Sequence, residues 1–357
     1  MNKTIGLALG LALLSSTALA SSLAVQKKSP GAPPTTFQVT NLVSSQEGVA
    51  NVVDPALVNS WGVAVVPHGP IWVSDQGTGV STLYNSRTGE KQSLTVTIPG
   101  GGPTGIVQIP DDDDGIVEFP VTEGTVTGQS AFVFATTHGQ IEGWNPSVDA
   151  ANAIVAVDNS VNNAVYTGLG VSDGKDRLYA ANFQKNQVEV YDANFHLIAK
   201  FHDPDLPEHF SPFNAKVFAG EVFVTFAERA KGGDEVTGPG LGYIDVFDRL
   251  GRLKRRLVAN GALNAPWGME IAPPNFGTFA GDLLVGNFGD GTINAYDRNT
   301  GDFLGTVPAS DGNPIVLPGL WALENRPSGT LTFSAGPGDE AFGLVGSIAP
   351  TAVTAQK

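Results

Sequence analysis

Short apolar runs alternate with polar breaks along most of the chain, and the spacing predicts strands instead of helices. The stretch GDLLVGNFGDGTINAYDRNTG (281–301) holds an apolar run, a polar break, a second run of alternating polarity and a turn. Nearly the same order recurs in DRLYAANFQKNQVEVYDANF (176–195) and in GPIWVSDQGTGVSTLYNSRTG (69–89). Period-two alternation bounded by Gly, Asn and Asp is typical of strands joined by tight turns. The chain therefore repeats one strand–turn–strand unit.

Six copies of the unit share one frame, and each begins with a small-residue turn followed by an apolar first strand. Most third strands end on an aromatic residue followed by Asn or Asp, which predicts a ring covering the neighbouring sheet and a turn after it. Six four-stranded units of about 45 to 65 residues are typical of a β-propeller. The six first strands lie in NSWGVAVVP (59–67), GPTGIVQIP (102–110), YTGLGVSDG (166–174), SPFNAKVFAG (211–220), APWGMEIAP (265–273) and PGLWALENR (318–326).

The last copy lacks a fourth strand, and FQVTNLVSS (37–45), ahead of the first copy, can supply it. Pairing the two ends of the chain in one blade removes an exposed sheet edge. We therefore predict an all-β, six-bladed propeller with four-stranded blades over residues 37–349. A seven-bladed ring is the alternative, because residues 140–170 are difficult to divide into strands.

The repeat resembles a known propeller family. APWGMEI followed by DLLVGNFGDGTINAYDRNTG is similar to the NHL-type repeat, with Pro-x-Gly-Ile, an apolar strand, an aromatic residue, Asp and Gly. The mature chain also resembles an uncharacterised family of exported propeller-like proteins from bacteria and fungi, through VDPALVNSWG, NAPWGMEIAP and LPGLWALE. More distantly, it is similar to six-bladed calcium-dependent lactonases, strictosidine-synthase-like enzymes and peptidyl-hydroxyglycine lyases. These resemblances imply a fold and do not select an activity.

The first 20 residues have the pattern of a signal peptide. Lys3 precedes an apolar run over residues 5–14, and Ala18-Leu19-Ala20 gives the small-x-small cleavage pattern. The apolar run is too short to span a bilayer. We therefore expect an exported protein, periplasmic or extracellular, with residues 21–36 as a flexible linker and 350–357 as a tail. The absence of cysteine from all 357 residues excludes disulfides, thiolate zinc sites and a lipid anchor.

The net charge of the chain limits the classes of partner that it can bind. There are 35 acidic and 20 basic residues, for a formal net charge of −15. A surface this acidic repels nucleic acid and anionic lipid and favours cations. We expect a monomer that binds a small molecule or a protein, and neither nucleic acid nor a membrane. The sequence contains no nucleophile elbow, phosphate loop, dinucleotide fingerprint or His-Glu-x-x-His motif.

The candidate site lies on one face of the ring, here called the upper face. There, the turns that lead into the first strands meet the breaks between second and third strands. The turns supply Asn59, Thr104, Asn214, Trp267 and Trp321, and the breaks supply Asp75, His138, Asn182, Glu228, Asn287 and Asp339. Oxygen donors around a narrow axis suit Ca²⁺, the only cofactor that the pattern suggests.

The resemblance to lactonases implies Asp75, Asn182 and Asn287 as metal ligands, by blade position. The first turn here carries Asn59, where those enzymes carry Glu. The alternative is that Asp and Asn occupy the breaks because they form good turns. His138 is the candidate catalytic base, and the loop histidines near blade four, His202 and His209, are others.

Two functions remain open from the sequence. The first is a ligand- or protein-binding scaffold that uses the axial loop face. The alternative is a calcium-dependent, lactonase-like hydrolase or lyase. A Gly-rich insertion, AERAKGGDEVTGPGLG (227–242), interrupts the fourth unit between its second and third strands, so it is expected over the upper face.

Overall fold

A computed structural model describes residues 35–112 and 115–351. The predicted signal peptide, nearly all of the predicted linker and the end of the predicted tail lie outside these residues. Two single-turn 3₁₀ helices occur, Ser160–Asn162 and Gly277–Phe279, and all other regular structure in the described residues is strand. No helix in this part of the chain has the length and apolar character needed to cross a membrane.

The described residues contain 28 strands, numbered in chain order. They are β1 (Phe37–Ser44), β2 (Val52–Val53), β3 (Ser60–Val65), β4 (Ile71–Asp75), β5 (Val80–Tyr84), β6 (Lys91–Thr97), β7 (Pro103–Gln108), β8 (Pro120–Glu123), β9 (Val126–Gln129), β10 (Phe132–Thr136), β11 (Gln140–Trp144), β12 (Ile154–Asp158), β13 (Tyr166–Val171), β14 (Arg177–Asn182), β15 (Gln187–Asp192), β16 (Leu197–Phe201), β17 (Phe210–Phe218), β18 (Glu221–Arg229), β19 (Glu235–Val236), β20 (Tyr243–Phe247), β21 (Leu253–Ala259), β22 (Pro266–Ile271), β23 (Leu283–Asn287), β24 (Ile293–Tyr296), β25 (Phe303–Thr306), β26 (Leu320–Asn325), β27 (Leu331–Ala335) and β28 (Leu344–Pro350).

Twenty-four of these strands form six antiparallel blades around one axis. Blades one to six are β3-β4-β5-β6, β7-β10-β11-β12, β13-β14-β15-β16, β17-β18-β20-β21, β22-β23-β24-β25 and β26-β27-β28-β1. Each first strand contacts the first strand of the next blade, and β26 contacts β3, so the first strands surround the axis as a closed ring. The six-bladed prediction is confirmed. Residues 140–170 complete blade two and begin blade three.

The two ends of the described chain close the ring within blade six, as predicted. Strand β1 pairs antiparallel with β28, from Phe37 opposite Pro350 to Ser44 opposite Leu344. Phe37 is fully buried, and its ring centroid lies 4.5 Å from that of Phe276 in blade five. Strand β1 therefore covers the edge of blade six and also packs against the neighbouring blade.

The ends of the third strands follow the predicted pattern. The aromatic residue is buried in each of the first five blades, and the Asn or Asp after it accepts backbone N–H bonds that form the turn. The aromatic residues are Tyr84, Trp144, Tyr191, Phe247 and Tyr296, and the turn residues are Asn85, Asn145, Asp192, Asp248 and Asp297. Local turn chemistry therefore fixes where each fourth strand begins.

Glycine in the first strands allows the blades to approach closely. A Cβ atom on Gly268 would lie 2.5 Å from the backbone oxygen of Trp321 in the next blade. A Cβ atom on Gly62 would lie 2.2 Å from the backbone oxygen of Thr104. No real Cβ atom lies this close to a backbone oxygen. Glycine at these equivalent positions therefore permits the close spacing of the blades around the axis.

Candidate binding site on the upper face

Aromatic side chains fill the axis at the upper face. Trp61 and Trp321 stack with ring centroids 3.8 Å apart, and Trp267 meets Trp321 edge-on at 5.9 Å. Phe213 meets Trp321 in the same way, also at 5.9 Å. All four side chains are at most 5% exposed. These four residues, here called the aromatic plug, close the upper end of the axis, because large rings from blades one, four, five and six meet there.

Hydrogen bonds fix the plug to the surrounding blades. Trp321 Nε1 donates to Asn59 Oδ1 at 2.8 Å, which joins blade six to the turn ahead of blade one. Trp267 Nε1 donates to the backbone oxygen of Thr167 at 2.8 Å, across the ring from blade five to blade three. Asn214 Nδ2 donates to the backbone oxygen of Trp267 at 3.0 Å. The indoles of Trp267 and Trp321 and the amide of Asn214 therefore have partners that link different blades, whereas Trp61 Nε1 is buried without a partner among the described residues.

Thr104, the remaining buried residue of the predicted turns, also joins two blades. Thr104 Oγ1 donates to the backbone oxygen of Tyr166 at 2.8 Å, which joins blade two to blade three. Thr167 Oγ1 donates to the backbone oxygen of Phe213 at 2.7 Å, which joins blade three to blade four. The five predicted turn residues thus bridge blades in this structure. They are Asn59, Thr104, Asn214, Trp267 and Trp321.

The three predicted metal ligands make hydrogen bonds at separate blades. Asp75 Oδ2 accepts from Thr82 Oγ1 at 2.6 Å, and Asn182 Nδ2 donates to Glu189 Oε1 at 3.1 Å. Asn287 Nδ2 donates to the backbone oxygen of Ala262 at 2.8 Å. No hydrogen bond between described residues joins any one of the three to another.

Burial also changes the chemistry of Asp75. It raises the pKa of this carboxyl well above its ordinary value, because the side chain is fully enclosed. A carboxyl held neutral is a weak ligand for Ca²⁺. Within the described residues, no group of three or more His, Asp or Glu side chains is placed to hold a metal ion. The axial calcium site stays a prediction.

His138 lies apart from the other candidates, at the junction of blades one and two. Its Nδ1 is 2.5 Å from the backbone oxygen of Gly100, and Gly100 N–H donates to Glu142 Oε1 at 2.8 Å. Burial raises the pKa of Glu142 to about 7. Its Oε2 and the Oε1 of Gln140 are buried without a partner among the described residues. A catalytic role for His138 stays a prediction.

An acidic pocket of about 540 Å³ lies beside the plug on the upper face, between blades four, five and six. Phe288 lines it, and the Phe288 ring stacks on Trp321 with centroids 4.2 Å apart. No lysine or arginine of the described chain lines this pocket. Four carboxylate side chains do, and they belong to Glu235, Asp290, Asp339 and Glu340.

The carboxylates of this pocket are crowded. Burial, together with repulsion from Glu340 and Asp234, raises the pKa of Glu235 to about 7. Burial also raises the pKa of Glu340, and Asp234 and Asp339 add to that rise. A bond from Asn59 Nδ2 to Glu340 Oε2 at 2.8 Å opposes it. The pocket therefore concentrates negative charge, and this repulsion and burial cost free energy. A bound cation would reduce that cost.

The insertion over residues 227–242 places Glu235 in the pocket. Strand β19 pairs with β18 so that Glu235 lies opposite Arg229, and Val236 lies opposite the half-buried Glu228. Gly238 N–H donates to Asn264 Oδ1 at 2.7 Å, which ties the insertion to the turn ahead of blade five. The insertion therefore extends from blade four to blade five across the upper face.

Sequence reasoning placed only one residue of the acidic pocket, the exposed Asp339, among the candidates. It missed Glu340 beside Asp339, Phe288 beside Asn287, and Asp290 two residues further on. It identified the insertion without singling out Glu235. The signal that could have found them is the same in each case, because each lies within a polar break or an insertion on the upper face.

Proteins of one virus are similar in sequence to this chain. Uncharacterized protein R648 of Acanthamoeba polyphaga mimivirus is 30% identical over 329 residues, which cover 88% of this chain and 80% of the viral protein. Protein L690 of the same virus is 31% identical over 328 residues, which cover 88% and 86%. The chain belongs to the family of these viral proteins. Protein R640 is 32% identical over 279 residues and is covered over 51% of its length.

Solved structures support the fold alone. A protein of unknown function from Bacteroides thetaiotaomicron superposes with a TM-score of 0.59 at 11% identity, covering 88% of this chain and 76% of its own. The WD40 β-propeller domain of Doa1 gives 0.50 at 11%, covering 87% and 97%. No protein-family profile matches the chain. The resemblance to NHL repeats and to lactonases stays a prediction.

Proposed function

We propose that the protein is a binding scaffold whose acidic pocket holds a basic side chain of a protein or peptide partner. The observation that carries the proposal is the combination of Glu235, Asp339 and Glu340 around one pocket lined by Phe288. Carboxylates pair with ammonium and guanidinium groups, and an aromatic face adds cation–π attraction. The pocket volume of about 540 Å³ admits a single long side chain.

The position of the pocket favours a macromolecular partner over a buried small molecule. It opens on the upper face, beside an exposed insertion that carries Lys231 and Asp234. Beside it, the aromatic plug closes the axis, so a ligand cannot pass from the pocket into the centre of the ring. A partner surface can therefore rest on the rim while one basic side chain enters the pocket.

The test uses a lysine-rich peptide and the same peptide with every lysine acetylated, each measured by calorimetry at low salt. The protein should bind only the charged peptide. The double variant Glu235→Gln/Glu340→Gln should weaken that binding about tenfold or more, because two charge-assisted contacts are lost. A control with the same charge change, Glu90→Gln/Asp302→Asn, alters exposed turns on the lower face and should leave binding unchanged.

Three outcomes would contradict the proposal. Equal binding of the acetylated peptide would show that charge is not recognised. Equal loss of binding in the control variant would show that net charge matters and the pocket does not. Binding of Ca²⁺ alone, lost in the pocket variant and without any binding of peptide, would replace the scaffold with the calcium-dependent alternative.

A further inference from the structure

A second cavity lies on the axis below the aromatic plug, in a part of the ring that the proposed function does not use. It has a volume of about 240 Å³, and all six first strands line it. Trp267 forms part of its wall at the plug end. Because the plug is buried, the cavity opens at the lower face, where the first strands end. This lower channel can hold about eight water molecules, or one small organic molecule.

The two sides of the lower channel differ in polarity. The first strands carry Ala64, Val107 and Gly170 in blades one to three at one equivalent position. At that position, blades four to six carry charged residues, Lys216, Glu270 and Glu324. Apart from Gln108 in blade two, one half of the channel is therefore apolar, and the other half is ionic.

Burial raises the pKa of Glu324 to about 7, so above this pH the charged half has more negative than positive charge. Lys216 Nζ lies 2.7 Å from Glu270 Oε2 and 2.6 Å from Glu324 Oε2, so one ammonium group faces two carboxylates. Burial opposes the charge on Lys216, but the attraction of the two glutamates outweighs it and raises the pKa of the ammonium group. Lys216 is therefore a fixed cation and not a nucleophile.

Glu324 has capacity for another donor. Both oxygens of Glu270 already accept hydrogen bonds, because Oε1 accepts from Ile271 N–H at 2.9 Å and Oε2 accepts from Lys216 and from Asn325 N–H. No hydrogen bond between described residues uses Glu324 Oε1. The Glu324 side chain is 30% exposed, and it lines the channel. The accessible carboxylate at the ionic side is therefore that of Glu324.

We propose that the lower channel binds a small organic monocation, a primary ammonium compound whose charged group contacts Glu324 and whose apolar body lies against blades one to three. An anion is disfavoured, because the two glutamates outnumber Lys216. A large ligand is excluded by the volume, and the net charge of −15 favours the approach of cations.

The test measures binding of butylamine, 1-butanol and butyrate at pH 8, where the amine is protonated. Butylamine should bind in a saturable manner, butanol more weakly and butyrate not at all. Glu324→Gln should weaken butylamine binding about tenfold, because a hydrogen bond to a charged group is replaced by a neutral one. Glu90→Gln, with the same change at an exposed turn outside both sites, should leave it unchanged.

A second variant keeps the proposal falsifiable if Glu324→Gln does not fold. Val107→Phe places a larger apolar side chain in the channel and should abolish butylamine binding while the charged side stays intact. The proposal is overturned if butylamine does not bind to the wild type, if butyrate binds equally well, or if the amine binds equally to the variant tested.

Discussion

The two ends of the axis are built from the same strands and have opposite characters. In blades four to six, Phe213, Trp267 and Trp321 carry aromatic rings that close the upper end. Three residues further along each strand, the chain carries Lys216, Glu270 and Glu324, which line or border an open channel. One end of each strand therefore contributes to stability, while the other leaves space and charge available for a ligand.

The comparison also explains why the upper-face site lies away from the axis. Oxygen donors predicted to surround the axis are instead bonded to neighbouring blades, as Asn59 and Asn214 show. The carboxylates that remain accessible, such as Asp339 and Glu340, come from loops beside the plug. The accessible carboxylates therefore lie beside the aromatic plug, where the packing of its side chains ends.

Removing strand β1 should have the largest effect, because it should disrupt the upper and the lower end of the axis at once. A chain that begins at residue 46 lacks the partner of β28 and exposes its edge, so it should lose cooperative folding. Thermal unfolding followed by circular dichroism checks this. A chain that begins at residue 35 is the control and should unfold as the full chain does. Equal cooperativity of unfolding in the two shortened chains would contradict the closure of the ring by β1.

Opening the plug should be the next largest effect. Trp321→Ala removes a fully buried ring that contacts Trp61, Trp267 and Phe288, so it should destabilise the protein by about 3–5 kcal/mol. Urea unfolding measures this loss. Glu324→Gln, three residues along the same strand, should cost markedly less. The reverse order would contradict the assignment of stability to the upper end.

The buried acids should make the protein less stable at alkaline pH. Burial raises the pKa of Glu142 from 4.5 to about 7, and that of Asp245 from 3.8 to about 7. The native state keeps these protons where the unfolded chain has released them, so the stability that these two groups contribute is greatest below about pH 4 and is lost as the pH rises through 7.

For Glu142 alone, the loss between pH 5 and 8 should be about 2 kcal/mol. Urea unfolding at the two pH values measures it, and Glu142→Gln should flatten the dependence. The substitution Glu90→Gln, at an exposed turn, is the control and should leave the slope unchanged. A wild type that is more stable at pH 8 than at pH 5 would show that the buried acids are ionised in the native state.

The smallest effect should separate binding from stability at the acidic pocket. Glu235→Gln/Glu340→Gln removes two crowded charges, so at pH 8 the stability should stay equal or rise by up to about 1 kcal/mol, although peptide binding is weakened. Thermal unfolding without ligand checks this. A clear loss of stability would mean that the two carboxylates support the fold.

The repeat frame could be predicted from the sequence because it depends on local chemistry. Turn residues such as Asn85 and Asp297, the buried aromatic residues before them, and the closing strand at residues 37–45 all lie in short recognisable patterns. The contacts of the axial residues could not be predicted, because whether Asn59 faces a ligand or Trp321 depends on two residues 262 positions apart. The charged half of the lower channel likewise joins residues from three blades.

The central claim is that the acidic pocket holds a basic group, and NMR titration of the Glu235 carboxyl tests it most directly. Selective ¹³C labelling of glutamate, assigned with Glu235→Gln, gives the pKa of this group with and without the lysine-rich peptide. We expect a pKa near 7 without peptide, where burial and Glu340 raise it, and a clear fall when the charged peptide is added. An unchanged pKa, or the same fall with the acetylated peptide, would contradict it.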